Sequence, residues 1–176
     1  MWTEYFYTTE FHKERDYINY LKNIERLVRS CKEYRVWTAL CREHGGWRCA
    51  VSGLTLDDCS IEIHHTPYTL FDLCAIVLHN WKSSRGFTTL EIAYKVMELH
   101  FQGLVGWVPL TKTNHEAAHS GTLVVPLSKV RGNWHLLEGR FELPGDVLVR
   151  VRYLIDKMRA ADELYEQTRK PQLRGS

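Results

Sequence analysis

Ile61-Glu-Ile-His-His-Thr-Pro67 and, further along, Val108-Pro-Leu-Thr-Lys-Thr-Asn-His-Glu-Ala-Ala-His-Ser-Gly121 decide how this sequence is read. In the first stretch Ile61 and Ile63 alternate with Glu62, the pattern of a half-buried strand, and His64 and His65 close it. Neighbouring strand residues point to opposite faces, so only one of the two histidines follows the buried face. In the second stretch His115 and His119 stand four positions apart. On a helix that spacing puts both imidazoles on one side, with Cβ atoms about 5–6 Å apart, which suits two ligands on one metal ion.

Working outward, Ile18, Leu21, Ile24, Leu27, Val28 and Cys31 recur at helical spacing and predict an amphipathic helix from about Glu14 to Glu43, with Lys22, Arg26, Arg29 and Lys32 on its wet side. Gly45 and Gly46 end it. Trp47–Val51 and Ile61–Ile63 read as two short strands of a hairpin. Thr69–Trp81 reads as a helix, with Thr69 as N-cap and Asp72 three residues on. Ser83, Ser84 and Gly86 form a break before a helix from Thr88 to about His100, ended by Gly103. Val108–Leu110 is β-like, Lys112–His119 helical, and Gly121–Val130 reads as a strand. Gly145 reads as a break before a helix over Val147–Gln167, and the tail from Lys170 is expected to fray.

The chain has 176 residues, 44% hydrophobic and 25% charged, enough to bury a core and too apolar for disorder. Its most apolar run, Leu70–Leu78, contains Asp72 and is far too short to span a bilayer. No basic-then-apolar leader opens the sequence, so neither secretion nor membrane insertion is expected. Five cysteines without a CxxC pair predict reduced, unmetallated thiols, Cys41, Cys49, Cys59 and Cys74 among them. Residues 1–50 carry nine Lys/Arg against seven Asp/Glu, residues 51–100 three against six, and residues 101–176 eleven against eight. Two mildly basic flanks around an acidic middle allow a nucleic-acid partner without demanding one.

The two histidine stretches, in this order and each beside Gly or Pro, resemble the HNH nucleases, in particular the variant with paired histidines and a terminal H-x3-H found in the nuclease domains of DNase bacteriocins. The whole chain also has the look of HNH-like proteins of large tailed bacteriophages. The resemblance implies an α+β fold. Its ββα-metal core would span residues 47–125, with a helical insertion at about 69–103. Residues 1–46 would form a helical flank, and residues 126–176 a strand plus C-terminal helix packed on the same domain. Carried over by motif position, His64, His115 and His119 would hold one divalent ion and His65 would be the general base. Zn²⁺, Ni²⁺ or Mn²⁺ suit three imidazoles better than Mg²⁺, which remains admissible. Lys112, Lys129 and Arg131 flank the second histidine set and are the expected phosphate contacts.

The implied activity is metal-dependent hydrolysis of DNA phosphodiesters, with RNA also admissible as substrate, in the cytoplasm of a host cell if the gene is a phage's. Two departures from the family stand out. The segment between His65 and His115 is 49 residues long, and the position nine before His115, where the family has Asn, is Gly106. Asn80 and Gln102 are the nearest substitutes. The rival reading is therefore a degenerate HNH fold that binds nucleic acid or protein around a structural metal. A third reading, a helical interaction protein, explains the flanking helices but not the paired histidines.

Overall fold

Leu21, Ile24 and Val28 fall on one stripe of α1 (Glu14–Ser30), and all three are fully buried. A computed structural model describes residue 11, residues 13–81 and residues 86–169 of the chain; the Ser83-Ser84 break and the tail from Lys170 lie outside these. The single helix expected over 14–43 is two. Cys31 leaves helical backbone (ψ 159°), and its sulfur accepts the Tyr34 N–H at 3.4 Å, so it becomes the N-cap of α2 (Lys32–Cys41). The apolar period runs through this break because Trp37 and Cys41 stay on the buried side. A wider helical turn, Arg42–Gly46, ends the segment with Gly45 at φ 92°.

The second correction concerns strand pairing. β1 (Ile61–His65) does not form a hairpin with Trp47–Val51. It pairs antiparallel with β2 (Trp107–Thr111), so that His64 faces Val108 and His65 faces Trp107. Residues 47–55 instead make a tight loop closed by the Arg48–Thr55 bridge, and the loop attaches to β2 through the Ala50 N–H and the Pro109 carbonyl (2.9 Å). β2 offers a fully buried partner, with Val108 and Leu110 at zero exposure, which a polar loop rich in Arg, Ser and Gly cannot match.

Between the strands stand α3 (Leu70–His79) and α4 (Thr89–Phe101). Both start on complete capping boxes: Thr69 with Asp72, and Thr88 with Glu91. Eight of the ten α3 residues are buried, as befits a helix enclosed by α1 and α4. Asp72 is among them, its carboxylate accepting from Thr69 and from Arg150. α5 (Lys112–Ser120) follows β2 directly, capped by Thr111 and stopped by Gly121 in left-handed backbone. The strand expected over Gly121–Val130 is absent: the segment is irregular, with one 3₁₀ turn at Leu127–Lys129. Pro126 interrupts any ladder there, and Val125 turns into the core without β pairing. After α6 (Leu137–Arg140), α7 (Gly145–Arg169) opens at Gly145 itself, which is its first residue and not a break before it.

The fold is α+β, mostly helical with one two-stranded antiparallel sheet among the described residues. One apolar cluster joins α1, α3, α4 and the start of α7; a smaller one joins Cys49, Ile61, Val108, Leu110, Val125 and Met158 beneath the sheet. No helix among the described residues is long and apolar enough to cross a membrane.

Candidate metal centre

Alternation along β1 sends its two histidines to opposite faces as the sequence predicts, but both are buried, at 9% and 5% exposure, where only one was expected to be, because α5 covers one face and α2 the other. Glu62 and His64 share the face on which α5 packs. There His64 meets His115 and His119, with ring centroids 5.0 and 4.8 Å away, while His115 and His119 are 4.5 Å from each other. One nitrogen from each of the three lies within 4.8 Å of the other two, and no other group of three or more His, Cys, Asp or Glu among the described residues gathers in this way. His64 is buried, His115 half-buried and His119 exposed, so the cluster opens to solvent on one side.

Three observations fit these residues to a divalent ion. First, His64 Nδ1 is buried and has no hydrogen-bond partner. A buried polar atom in that state needs a partner, and a metal supplies one. Second, Glu62 lies 2.5 Å from His115 Nδ1. A carboxylate only accepts, so Nδ1 carries the proton and Nε2 keeps its lone pair, the usual arrangement of a ligating histidine oriented by a neighbouring carboxylate. Third, burial and then the facing imidazoles push the His64 pKa down to about 3. Burial followed by His119 likewise lowers His115, against the raising effect of Glu62. Neutral imidazoles are the form that binds metal.

His65 sits on the other face, 5% exposed, stacked against Trp37 (5.3 Å, 27°) and Tyr34 (6.0 Å, 17°) from α2. Its Nε2 lies 3.1 Å from Nε2 of His100 on α4, whose Nδ1 lies 2.7 Å from the Val96 carbonyl. A carbonyl only accepts, so His100 donates from Nδ1 and accepts at Nε2; His65 therefore donates from Nε2 and keeps the lone pair on Nδ1. Burial above all, then His100, holds the His65 pKa well below its ordinary value. His100 is thus a buried histidine with both ring nitrogens partnered.

The expected phosphate contacts do not converge on the three imidazoles. Lys112 is exposed at the first position of α5. Arg131 bridges β2 at Trp107, on the edge away from β1, donates to the His44 carbonyl (2.5 Å) and lies over the Trp107 ring. Lys129 sits over Tyr165. Gly106 is fixed by sterics: a Cβ there would meet the Thr66 carbonyl oxygen at 2.1 Å, where Thr66 also donates its N–H to the Gly106 carbonyl (3.1 Å). No Asn fits at that position. Asn80 does not substitute, since its side chain bonds Ile76 and Glu142, and Gln102 bonds Glu98. Sequence reasoning missed Glu62 and His100. Glu62 was signalled by standing two positions before His64 on one strand face; nothing local signalled His100.

An α+β chain with a solvent-open cluster of three histidines is thus the class that the fold and the site define. Residues 2–171 match the bacteriophage G278-like virion protein family, and the chain belongs to that family. No curated protein and no solved structure matches it.

Proposed function

We propose that the chain is a phage-encoded, metal-dependent phosphodiester hydrolase of HNH type acting on DNA. The carrying observation is the convergence of His64, His115 and His119 on one solvent-open point, with His64 Nδ1 buried and unpartnered. A structural zinc is enclosed by four protein ligands, whereas three protein ligands with an open position are the hallmark of a catalytic site. β1, β2 and α5 supply the two strands and the helix of a ββα-metal unit, interrupted between the strands by α3 and α4.

The three imidazoles would hold the ion, and Glu62 would keep His115 in the ligating tautomer. When bound, the ion supplies positive charge at the scissile phosphate and at the leaving oxygen. His65 lies on the opposite face with its Nε2 committed to His100, so as general base it would act through Nδ1 and would need Trp37 and Tyr34 to move off it. Lys112, at the head of α5, is the nearest basic residue in sequence to the histidine helix and would meet a neighbouring backbone phosphate.

A second reading, a virion module in which the ion only braces α5 against the sheet, is favoured by one observation: His65 is 5% exposed and covered by Trp37 and Tyr34. Metal analysis of chelator-free protein, paired with a supercoiled-plasmid nicking assay in Mn²⁺, Ni²⁺, Zn²⁺ or Mg²⁺, separates the two. The hydrolase reading expects about one ion per chain and slow nicking that disappears in His119→Ala. An ion near full occupancy without nicking in any metal replaces it with the bracing role.

A further inference from the structure

None of the three histidines lines a cavity of about 480 Å³ where the loop after Arg48, the segment around Lys129 and the C-terminal half of α7 meet. Arg48, Lys129 and Arg131 line it, together with Ser52, Ser128 and Tyr165. The three cations come from two segments of the chain, and none of them makes an ion pair among the described residues. Arg48 donates one guanidinium N–H to the Gly53 carbonyl (2.8 Å). Arg131 donates one to the His44 carbonyl, and the Lys129 ammonium rests on the Tyr165 ring at 4.5 Å. Each retains further N–H donors. Two carboxylates stand by this wall: Asp162, which accepts from the Ser128 N–H and hydroxyl (2.5–3.2 Å), and Asp58, which accepts from the Thr55 N–H and hydroxyl and also feels the Arg48 charge.

A further group that could oppose an anion is Cys49, which also lines the cavity. Burial raises its pKa, but hydrogen bonds from Ser52, Thr111 and Asn114 outweigh burial and bring it to about 7. Its sulfur accepts from Ser52 N (3.4 Å) and from Asn114 Nδ2 (3.3 Å), so any charge there is met by donors of the wall itself.

Like charges left unpaired around a concavity repel one another, and in water they need a reason to be gathered. An anion with several oxygens supplies it, since it accepts from all of them at once. The volume lies within the range of sites that hold a small organic ligand and is generous for a bare phosphate. We propose that this cavity binds the phosphate groups of a polynucleotide strand, Arg48 and Lys129 being the principal contacts and Arg131 the wall that aligns them. The site shares no residue with the metal centre and needs no ion.

The test is anisotropy of a short labelled single-stranded DNA with the full chain in excess EDTA, across a salt series. Removing a phosphate contact to a single strand lowers the salt slope by about 0.7 and removes a charge-assisted hydrogen bond, a loss of about tenfold in affinity at low salt. Arg48→Gln and Lys129→Gln are each expected to show both effects, while Lys32→Gln, the same charge change on the exposed side of α2, leaves the affinity within about twofold, the size of an ordinary surface effect. Arg131 is not the variant of choice, because its bond to the His44 carbonyl ties two segments together. Thermal melts of both variants check that they fold. Equal weakening by Lys32→Gln overturns the proposal in favour of diffuse charge attraction, and so does the absence of DNA binding at low salt. Binding of inorganic phosphate or a mononucleotide that is lost in the two variants, without binding of the strand, overturns the polynucleotide and makes the cavity a small-anion site.

Discussion

His64, His115 and His119 derive their interest from what each lacks alone. His64 has a buried nitrogen without a partner, His115 has one nitrogen fixed by Glu62, and His119 completes the cluster from the exposed side. The double substitution His115→Ala/His119→Ala is expected to bring the bound metal, read by elemental analysis, close to zero; full retention would falsify the ligand set. Glu62→Gln should weaken metal affinity by about 10–100-fold without removing a ligand, because it relaxes the tautomer and orientation of His115. A competition titration with a chelating dye measures this. Gly106 carries a prediction of the opposite kind. Installing the family's Asn at this position should not restore anything: with a Cβ 2.1 Å from the Thr66 carbonyl, Gly106→Asn is expected to destabilise the protein by more than about 3 kcal/mol in urea unfolding. A stable Asn variant would show that the backbone can yield there.

At the scale of elements, the helices with explicit start signals were the most legible. Thr69 with Asp72 and Thr88 with Glu91 announce α3 and α4, and both capping boxes form. Asp72 does more than its local pattern reveals, since Arg150, distant in sequence, also binds its carboxylate. Asp72→Ala therefore loses a cap and a buried partner together. Arg150 is half exposed, 47%, so water screens much of the pair, and the expected loss is about 2 kcal/mol by chemical denaturation. The misread elements share a cause. Trp47–Val51 and Gly121–Val130 have β-prone composition, yet strand identity depends on finding a partner edge. β1 found the fully buried β2 beyond two helices, and the other two runs were left as loops. The break at Cys31 was hidden because both halves of the helix keep one apolar face against the same core.

Across the whole molecule, the buried pair of His65 and His100 links the sheet to α4, and it makes stability depend on pH. Burial above all pushes the His100 pKa down to about 4; the Val96 carbonyl acts against this, and Arg29 adds to it. The groups facing it are His65, Trp37 and Tyr34, with Arg29 the charge that it feels. An unfolded histidine titrates near 6.5, so below that pH the unfolded chain takes up a proton that folded His100 refuses. Its contribution is thus fully present above about pH 6.5 and is lost as the pH falls toward 4. In excess EDTA, unfolding free energy plotted against pH should fall less steeply in His100→Gln than in the unsubstituted chain, by up to about 1.4 kcal/mol per pH unit in that window; parallel slopes would show that His100 is protonated in the fold. The sequence by itself determined the amphipathic α1, the capped α3 and α4, the strand–helix junction at Thr111, and the placement of His115 and His119 on one helix side, because each of these is set by residues within a turn or two of one another. Only the tertiary structure decided that Glu62 orients His115, that His100 meets His65 across 34 intervening residues, and that Arg48 joins Lys129 and Arg131 at one cavity. Those are contacts between segments far apart in the chain, fixed by which apolar faces find burial together, and no local pattern encodes them.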